Sequence, residues 1–233
     1  MPRKKDFSDT IVSEDCTFLF TYDTVPCFLL NTLNPETDSS IVIKELSFFR
    51  TTQQPELAWV AMAGSHLRSW YVQNKYCGTC GSPTVHKTDE RALMCTSCNN
   101  VIYPKNSPAK IVAITCNDKI LLARGSHSPV AWYSLIAGYV DIGETLEETV
   151  RREVREEVGI QVTDIRYYTS HPWPLSGSMM IGFTAHADDS QPITLDGKEI
   201  AEAKWFTRGN LPNRSLSLSI AGEMIDNFEN NLL

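Results

Sequence analysis

The stretch Gly138-Tyr-Val-Asp-Ile-Gly-Glu144-Thr-Leu-Glu-Glu-Thr-Val-Arg-Arg152-Glu153-Val154-Arg-Glu156-Glu157-Val-Gly159-Ile160 decides how this chain is read. Leu146, Val150, Val154 and Val158 recur every four residues, so in a helix they form one apolar stripe that can pack on a sheet. Glu153, Glu156 and Glu157 fall three and four apart on another face, where helical side chains are neighbours. Like charges at that spacing cost a few tenths of a kcal/mol per pair in an isolated helix. Hard divalent cations such as Mg²⁺ and Mn²⁺ give a reason to accept the repulsion, because they favour carboxylate oxygens. The plainer alternative is a solvated acidic helix with Arg151, Arg152 and Arg155 as ion-pair partners. Gly159 is placed to end the helix in the left-handed region. Gly138 and Gly143 give the preceding loop the freedom to turn a backbone carbonyl towards the same ion.

Taken whole, the string fits the Nudix box, G-x5-E-x7-R-E-U-x-E-E-x-G-U with U aliphatic, at every specified position. The chain therefore resembles the Nudix hydrolases. That resemblance implies an α/β fold, an α/β/α sandwich on a mixed sheet, and hydrolysis of a nucleoside diphosphate linked to another moiety. It also implies that Glu153, Glu156 and Glu157 ligate the catalytic Mg²⁺ or Mn²⁺. Glu157 would orient or deprotonate water, and Arg152 would hold the glutamates in place.

Upstream, Cys77-Gly-Thr-Cys80 and Cys95-Thr-Ser-Cys98 form two Cys-x-x-Cys pairs, while Cys16, Cys27 and Cys116 stand alone. The odd total of seven speaks against a disulfide framework. Two such pairs separated by fourteen residues have the spacing of a zinc ribbon, with four thiolates closing a tetrahedral shell around a structural Zn²⁺. Incidental cysteines or a redox pair are the competing readings. Metal binding would fold a segment too short to have a core of its own.

Downstream of the box comes Ser170-His171-Pro172-Trp173-Pro174-Leu175-Ser176-Gly177-Ser178. Its prolines and tryptophan read as a stiff loop with one flat surface. The segment is similar to the Ser-Gln-Pro-Trp-Pro-Phe-Pro-x-Ser array of the NADH pyrophosphatase branch of the Nudix family, which also carries a zinc ribbon ahead of the Nudix domain. His171, Leu175 and Ser176 depart from that array, while Ser170, Pro172, Trp173, Pro174 and Ser178 keep it. The resemblance implies that residues 171–178 bind substrate, together with Glu90, Tyr103, Tyr139 and Ala221. It further implies that the Ala137 carbonyl and Glu199 complete the metal site and that the protein is a homodimer. The activity so implied is NAD(H) + H₂O → NMN(H) + AMP, or the same cleavage at an NAD cap on an RNA 5′ end. Another nucleoside diphosphate derivative as substrate, or a catalytically silent nucleotide or RNA sensor, are the alternatives.

The remaining sequence sets the frame. A content of 42% hydrophobic and 21% charged residues is that of a folded globular protein. The net charge of −7 argues against a broad phosphate-tracking surface, though not against a small anionic substrate carried with a divalent cation. No apolar run reaches the roughly 18–20 residues of a membrane span, and the basic N-terminus turns acidic before any apolar stretch. A cytoplasmic protein without membrane partners is expected. Three regions are expected: 1–75, a small N-terminal α/β domain; 76–103, the ribbon; and 104–233, the Nudix domain. Helices are expected at about 55–73, 146–158 and 218–228. Asn117-Asp118 should join two strands, 110–116 and 119–123, in a hairpin. Further strands are expected near 132–137, 162–169, 179–186 and 203–206. His66, His86, His127 and His186 are expected to be structural or exposed.

Overall fold

The computed structural model describes residues 16–30, 42–50, 52, 54–126, 132–195, 197–213 and 219–233. The described residues fall into two compact units, one from Met1–Lys105 with Pro174–Gly177 and the other from Asn106–Trp173 with Ser178–Leu233.

In the first unit, β1 (Cys16–Tyr22) and β2 (Val25–Leu30) pair as an antiparallel hairpin. Helix α1 (Pro55–Gln73) follows the expected limits, and Pro55 sits in its first turn, where a missing N–H costs no helical bond. A short ribbon sheet comes next: β3 (Thr84–His86), β4 (Leu93–Cys95) and β5 (Val101–Ile102), all antiparallel. The Arg91 guanidinium donates to the Leu19 carbonyl and so ties ribbon to hairpin. His66 binds the Lys105 carbonyl at 2.9 Å, and His86 is exposed with its ring against Tyr71. His186 is exposed, and His127 lies outside the described residues.

The second unit is built on a six-stranded mixed sheet. Its strands are β6 (Ser107–Cys116), β7 (Lys119–Gly125), β8 (Ile136–Tyr139), β9 (Thr163–Trp173), β10 (Ser178–His186) and β11 (Ile200–Thr207), in the order β11-β7-β6-β10-β9, with β8 beside β6. β6 and β10 are parallel, and the other pairs are antiparallel. β6 divides one edge between two partners: Ala109–Val112 face β8 and Ile114–Cys116 face β7. Side chains alternate across a strand. Val112 and Ile114 therefore pack with Val150, Val154 and Val158 of α2 (Leu146–Val158), while Ile111 and Ala113 pack with Met224, Ile225 and Phe228 of α3 (Ile220–Glu229). This is the expected α/β/α sandwich, and the four-residue stripe of α2 is its buried face.

Three expectations need correction. Residues 170–173 are the last four residues of strand β9, which pairs in register with β10 from Trp173↔Ser178 to Ser170↔Ile181. Ser170–Ser178 is thus a hairpin and not a free loop. β9 is the sheet's edge, so the N–H missing from Pro172 leaves no gap in the ladder. The strand expected near 132–137 starts at Ile136, preceded by a single bridge from Ser134 to Ala123. Gly138 lies inside β8 and is not needed for a turn; a Cβ there would fall on the Glu153 carboxylate, so its role is to leave room for that group.

Local chemistry fixes both ends of α2. Thr145 and Glu148 form a reciprocal capping box at the start. Gly159 ends the helix with φ +75°, and a Cβ there would lie 2.9 Å from Thr194 Cβ. Gly143, at φ +92°, has open space around it. Gly159→Ala should therefore cost about 1–3 kcal/mol and lower Tm, whereas Gly143→Ala should cost less, since it meets only the backbone penalty. Thermal denaturation of the two variants checks the ranking.

Candidate active site

One guanidinium organises the outer face of α2. Arg152 donates from Nε to Glu144 Oε1 at 2.5 Å and from Nη2 to Glu144 Oε2 at 2.8 Å, a forked pair. Its Nη1 donates to Glu153 Oε1 and Glu156 Oε2, each at 3.0 Å, and Nη2 also reaches the Tyr139 carbonyl at 3.2 Å. Glu144 further accepts from the Thr149 hydroxyl at 2.9 Å and the Asp141 N–H at 3.2 Å. These donors, the Arg152 fork foremost, hold the Glu144 carboxyl down at about 2. Glu144 stands in the box that the sequence displayed, yet the spacing alone assigned it no task. Eight residues, a little over two helical turns, place it where Arg152 can reach back to it.

Glu157 is different in kind. It is only 6% exposed, and burial raises its pKa to about 8; the nearby charge of Lys110 opposes the rise, and Glu153 and Glu199 add to it. A carboxyl pushed up by burial and by neighbouring carboxylates, against the charge of one lysine, gains from further positive charge, which is what a divalent cation brings. The oxygen-only donor set of Glu153, Glu156 and Glu157 thus fits a hard cation in charge and chemistry. The Glu153 and Glu156 carboxylates are shared with Arg152, so their oxygens are not drawn together on one point. Ala137 lies exposed in β8, opposite Ile111 of β6. Glu199 immediately precedes β11, and its carbonyl accepts from the Ser126 N–H at 2.8 Å.

The second unit also holds much of the anticipated substrate set. Tyr139 is 53% exposed, and its hydroxyl accepts from Ser178 Oγ at 3.2 Å. His171 Nε2 lies 3.3 Å from Glu223 Oε2, and Glu223 accepts from the Tyr168 hydroxyl at 3.1 Å. Pro172 is exposed and Trp173 half-buried, while Ala221 is buried in α3. Glu90 and Tyr103 come together in the first unit, where the Tyr103 hydroxyl donates to Glu90 Oε1 at 3.2 Å. Pro174, Leu175, Ser176 and Gly177 also belong to that unit, and Gly177 takes φ +66°.

The cysteines of the ribbon are gathered. Sγ separations are 3.7 Å for Cys77–Cys98, 3.4 Å for Cys80–Cys95 and 3.5 Å for Cys80–Cys98. A tetrahedron with Zn–S of about 2.3 Å has edges of about 3.8 Å, so the cluster has the size of a zinc shell. Backbone N–H groups point at the sulfurs, among them Thr79 at Cys77, and Ser97 and Cys98 at Cys95. Among the described residues this is the one group of three or more potential ligands whose donor atoms already converge.

The fold and the charged helix define an α/β/α enzyme-like scaffold carrying a carboxylate site and a separate four-cysteine metal knot. Comparison with known proteins agrees on the fold and on the ribbon. Residues 106–228 match the NUDIX domain, and residues 73–103 match the NADH pyrophosphatase zinc ribbon domain. The chain belongs to the Nudix family, in its zinc-ribbon-bearing NADH pyrophosphatase branch. It is 41% identical over 167 residues to "NAD-capped RNA hydrolase NudC" of Shigella dysenteriae serotype 1 (strain Sd197), covering 72% of this chain and 65% of that protein. It is 36% identical over 205 residues to the protein of the same name from Stutzerimonas stutzeri (strain A1501), covering 88% of this chain and 74% of that one. The matched region is thus a little under two thirds of the Shigella protein's length. A solved NUDIX hydrolase from Nitrosomonas europaea shares the fold, with a TM-score of 0.58 at 20% identity over 67% of this chain and 91% of that one.

Two outcomes test this geometry. Replacing Cys95 with Ser should leave the ribbon without bound zinc and susceptible to proteolysis between residues 76 and 103, read by metal analysis and limited digestion. Because the Glu144 pKa is depressed, its pairing stabilises the fold above about pH 4.5 and is lost as pH falls towards about 2. Glu144→Gln should accordingly lower Tm at pH 7 and flatten the acid limb of a Tm-against-pH curve.

Proposed function

We propose that this chain hydrolyses the pyrophosphate bond of NADH and NAD⁺ to NMN(H) and AMP, and acts on the same bond where NAD caps an RNA 5′ end. The observation that carries this reading is the α2 carboxylate array. Arg152 fixes Glu144, Glu153 and Glu156, while Glu157 is buried, and its burial outweighs the nearby charge of Lys110. Its support in substrate class comes from the ribbon and Nudix matches and from the relatives' names.

The proposed division of labour is as follows. Glu153, Glu156, Glu157, Glu199 and the Ala137 carbonyl hold the cations. Mg²⁺ or Mn²⁺ there supplies neutralisation of the pyrophosphate charge and Lewis acidity. Glu157 takes the proton of the attacking water, whose oxygen bonds to one phosphorus as the bridging P–O bond breaks and the second phosphate departs. A base whose pKa lies near the working pH suits that transfer. Arg152 keeps the carboxylates from reorganising during the step. Tyr103 and Tyr139 offer faces for a heterocycle, and Trp173, within the 171–178 segment, offers another; Glu90, Ser178 and Ala221 complete the contacts. The division into 1–75, 76–103 and 104–233, a homodimeric assembly and a cytoplasmic location belong to the same proposal. No helix among the described residues is long and apolar enough to cross a membrane.

Incubation with NADH, NAD⁺, ADP-ribose and NAD-capped RNA in Mn²⁺, with products resolved by chromatography, ranks the substrates. AMP and NMNH from NADH are expected, and Glu157→Gln should lower kcat by about 10²–10⁴-fold. Ionised Glu157 is the active form and its free-enzyme pKa is about 8, so kcat/KM should climb with pH below that value. A cation beside it favours the ionised form, so the limb should move to lower pH as Mn²⁺ is raised. A folded, zinc-loaded protein that leaves all four substrates intact would refute the proposal.

A further inference from the structure

Among the described residues, the two buried side chains of charged type are Glu157 and Lys110, and Lys110 has no exposed surface at all. Its place in β6 calls for an aliphatic residue. It lies on the face shared by Val112 and Ile114, which pack on the valine stripe of α2. Opposite it in the ladder stands Gly138, the residue whose missing Cβ makes room for the Glu153 carboxylate. The strand therefore carries the lysine beneath the carboxylate end of α2. Its Nζ is buried and has no hydrogen-bond partner among the described residues. Burial works against the ammonium; of the charges around it, Glu157, Glu153 and Glu156 favour it and Arg152 opposes it.

A buried ammonium with no hydrogen bond is costly unless a field of opposite charge surrounds it. The carboxylates of α2 supply that field here. A cation entering the same site meets carboxylates whose charge is already partly balanced, together with a positive charge that repels it.

We propose that Lys110 is a resident counter-charge of the carboxylate site, facing Glu157 and Glu153 from the sheet and competing with divalent cations for them. The inference rests on the reading of Glu153, Glu156 and Glu157 as cation ligands. It makes Lys110 a positioning residue: it holds the empty carboxylates together, and it lowers the affinity of the metal that replaces it.

The test is Mn²⁺ binding by the full-length, zinc-loaded protein, measured from the electron paramagnetic resonance signal of free Mn²⁺ in wild type and Lys110→Met. Methionine keeps the length and loses the charge. Binding tighter by roughly tenfold is expected for the variant, the scale of one partly screened charge contact. Equal or weaker binding by a folded Lys110→Met protein overturns the inference and leaves the cation site standing. No Mn²⁺ binding by either protein overturns both. Should Lys110→Met fail to fold, the double variant Lys110→Met/Glu157→Gln decides. Recovery of a cooperative melt shows that an uncompensated Glu157 caused the failure and supports the counter-charge, whereas no recovery overturns it.

Discussion

The Arg152 guanidinium, held in a fork by Glu144, is the contact on which the candidate site depends. Three carboxylates on neighbouring turns repel, and without a fixed cation they would splay into solvent or draw protons. Arg152 meets Glu144, Glu153 and Glu156 at once and adds the Tyr139 carbonyl, so one planar group joins the loop before α2, the helix itself and strand β8. An ammonium has no such fork, so lysine in its place would lose the joint geometry.

The sheet supplies what the helix lacks. Because β6 gives one half of an edge to β8 and the other to β7, the chain near Ala137–Tyr139 is laid alongside the carboxylate end of α2. Gly138 then permits the close approach of Glu153. Burial of the valine stripe carries Glu157 inward with it, which separates one glutamate electrostatically from its neighbours though all three have the same chemistry. Ionic pairing on the exposed side and desolvation on the buried side thus push Glu144 and Glu157 in opposite directions within one helix and its approach loop.

The zinc ribbon answers a separate constraint. Its strands are two or three residues long, too short to bury a core. The four sulfurs and the N–H groups aimed at them take the place of that core.

Much of this was legible in the chain itself. The four-residue repeat of Leu146, Val150, Val154 and Val158 and the Gly159 stop mark α2 from end to end, since patterning and C-capping agree there. The cysteine spacing likewise announces the metal knot, because ligand geometry is local. Other features depended on strand register, which a one-dimensional reading does not contain. The Ser170–Ser178 segment reads as a loop from its prolines, and only its edge position shows why a strand tolerates Pro172. Gly138 reads as a hinge, and only the ladder shows it as a space for a carboxylate. Lys110 reads as one unremarked residue in an apolar run, and only pairing with β8 beneath α2 gives it a partner set. Sequence determined the elements and the kinds of ligand, because those follow from neighbours along the chain. Tertiary structure decided which charges share a buried space, because that depends on residues the chain brings together from far apart.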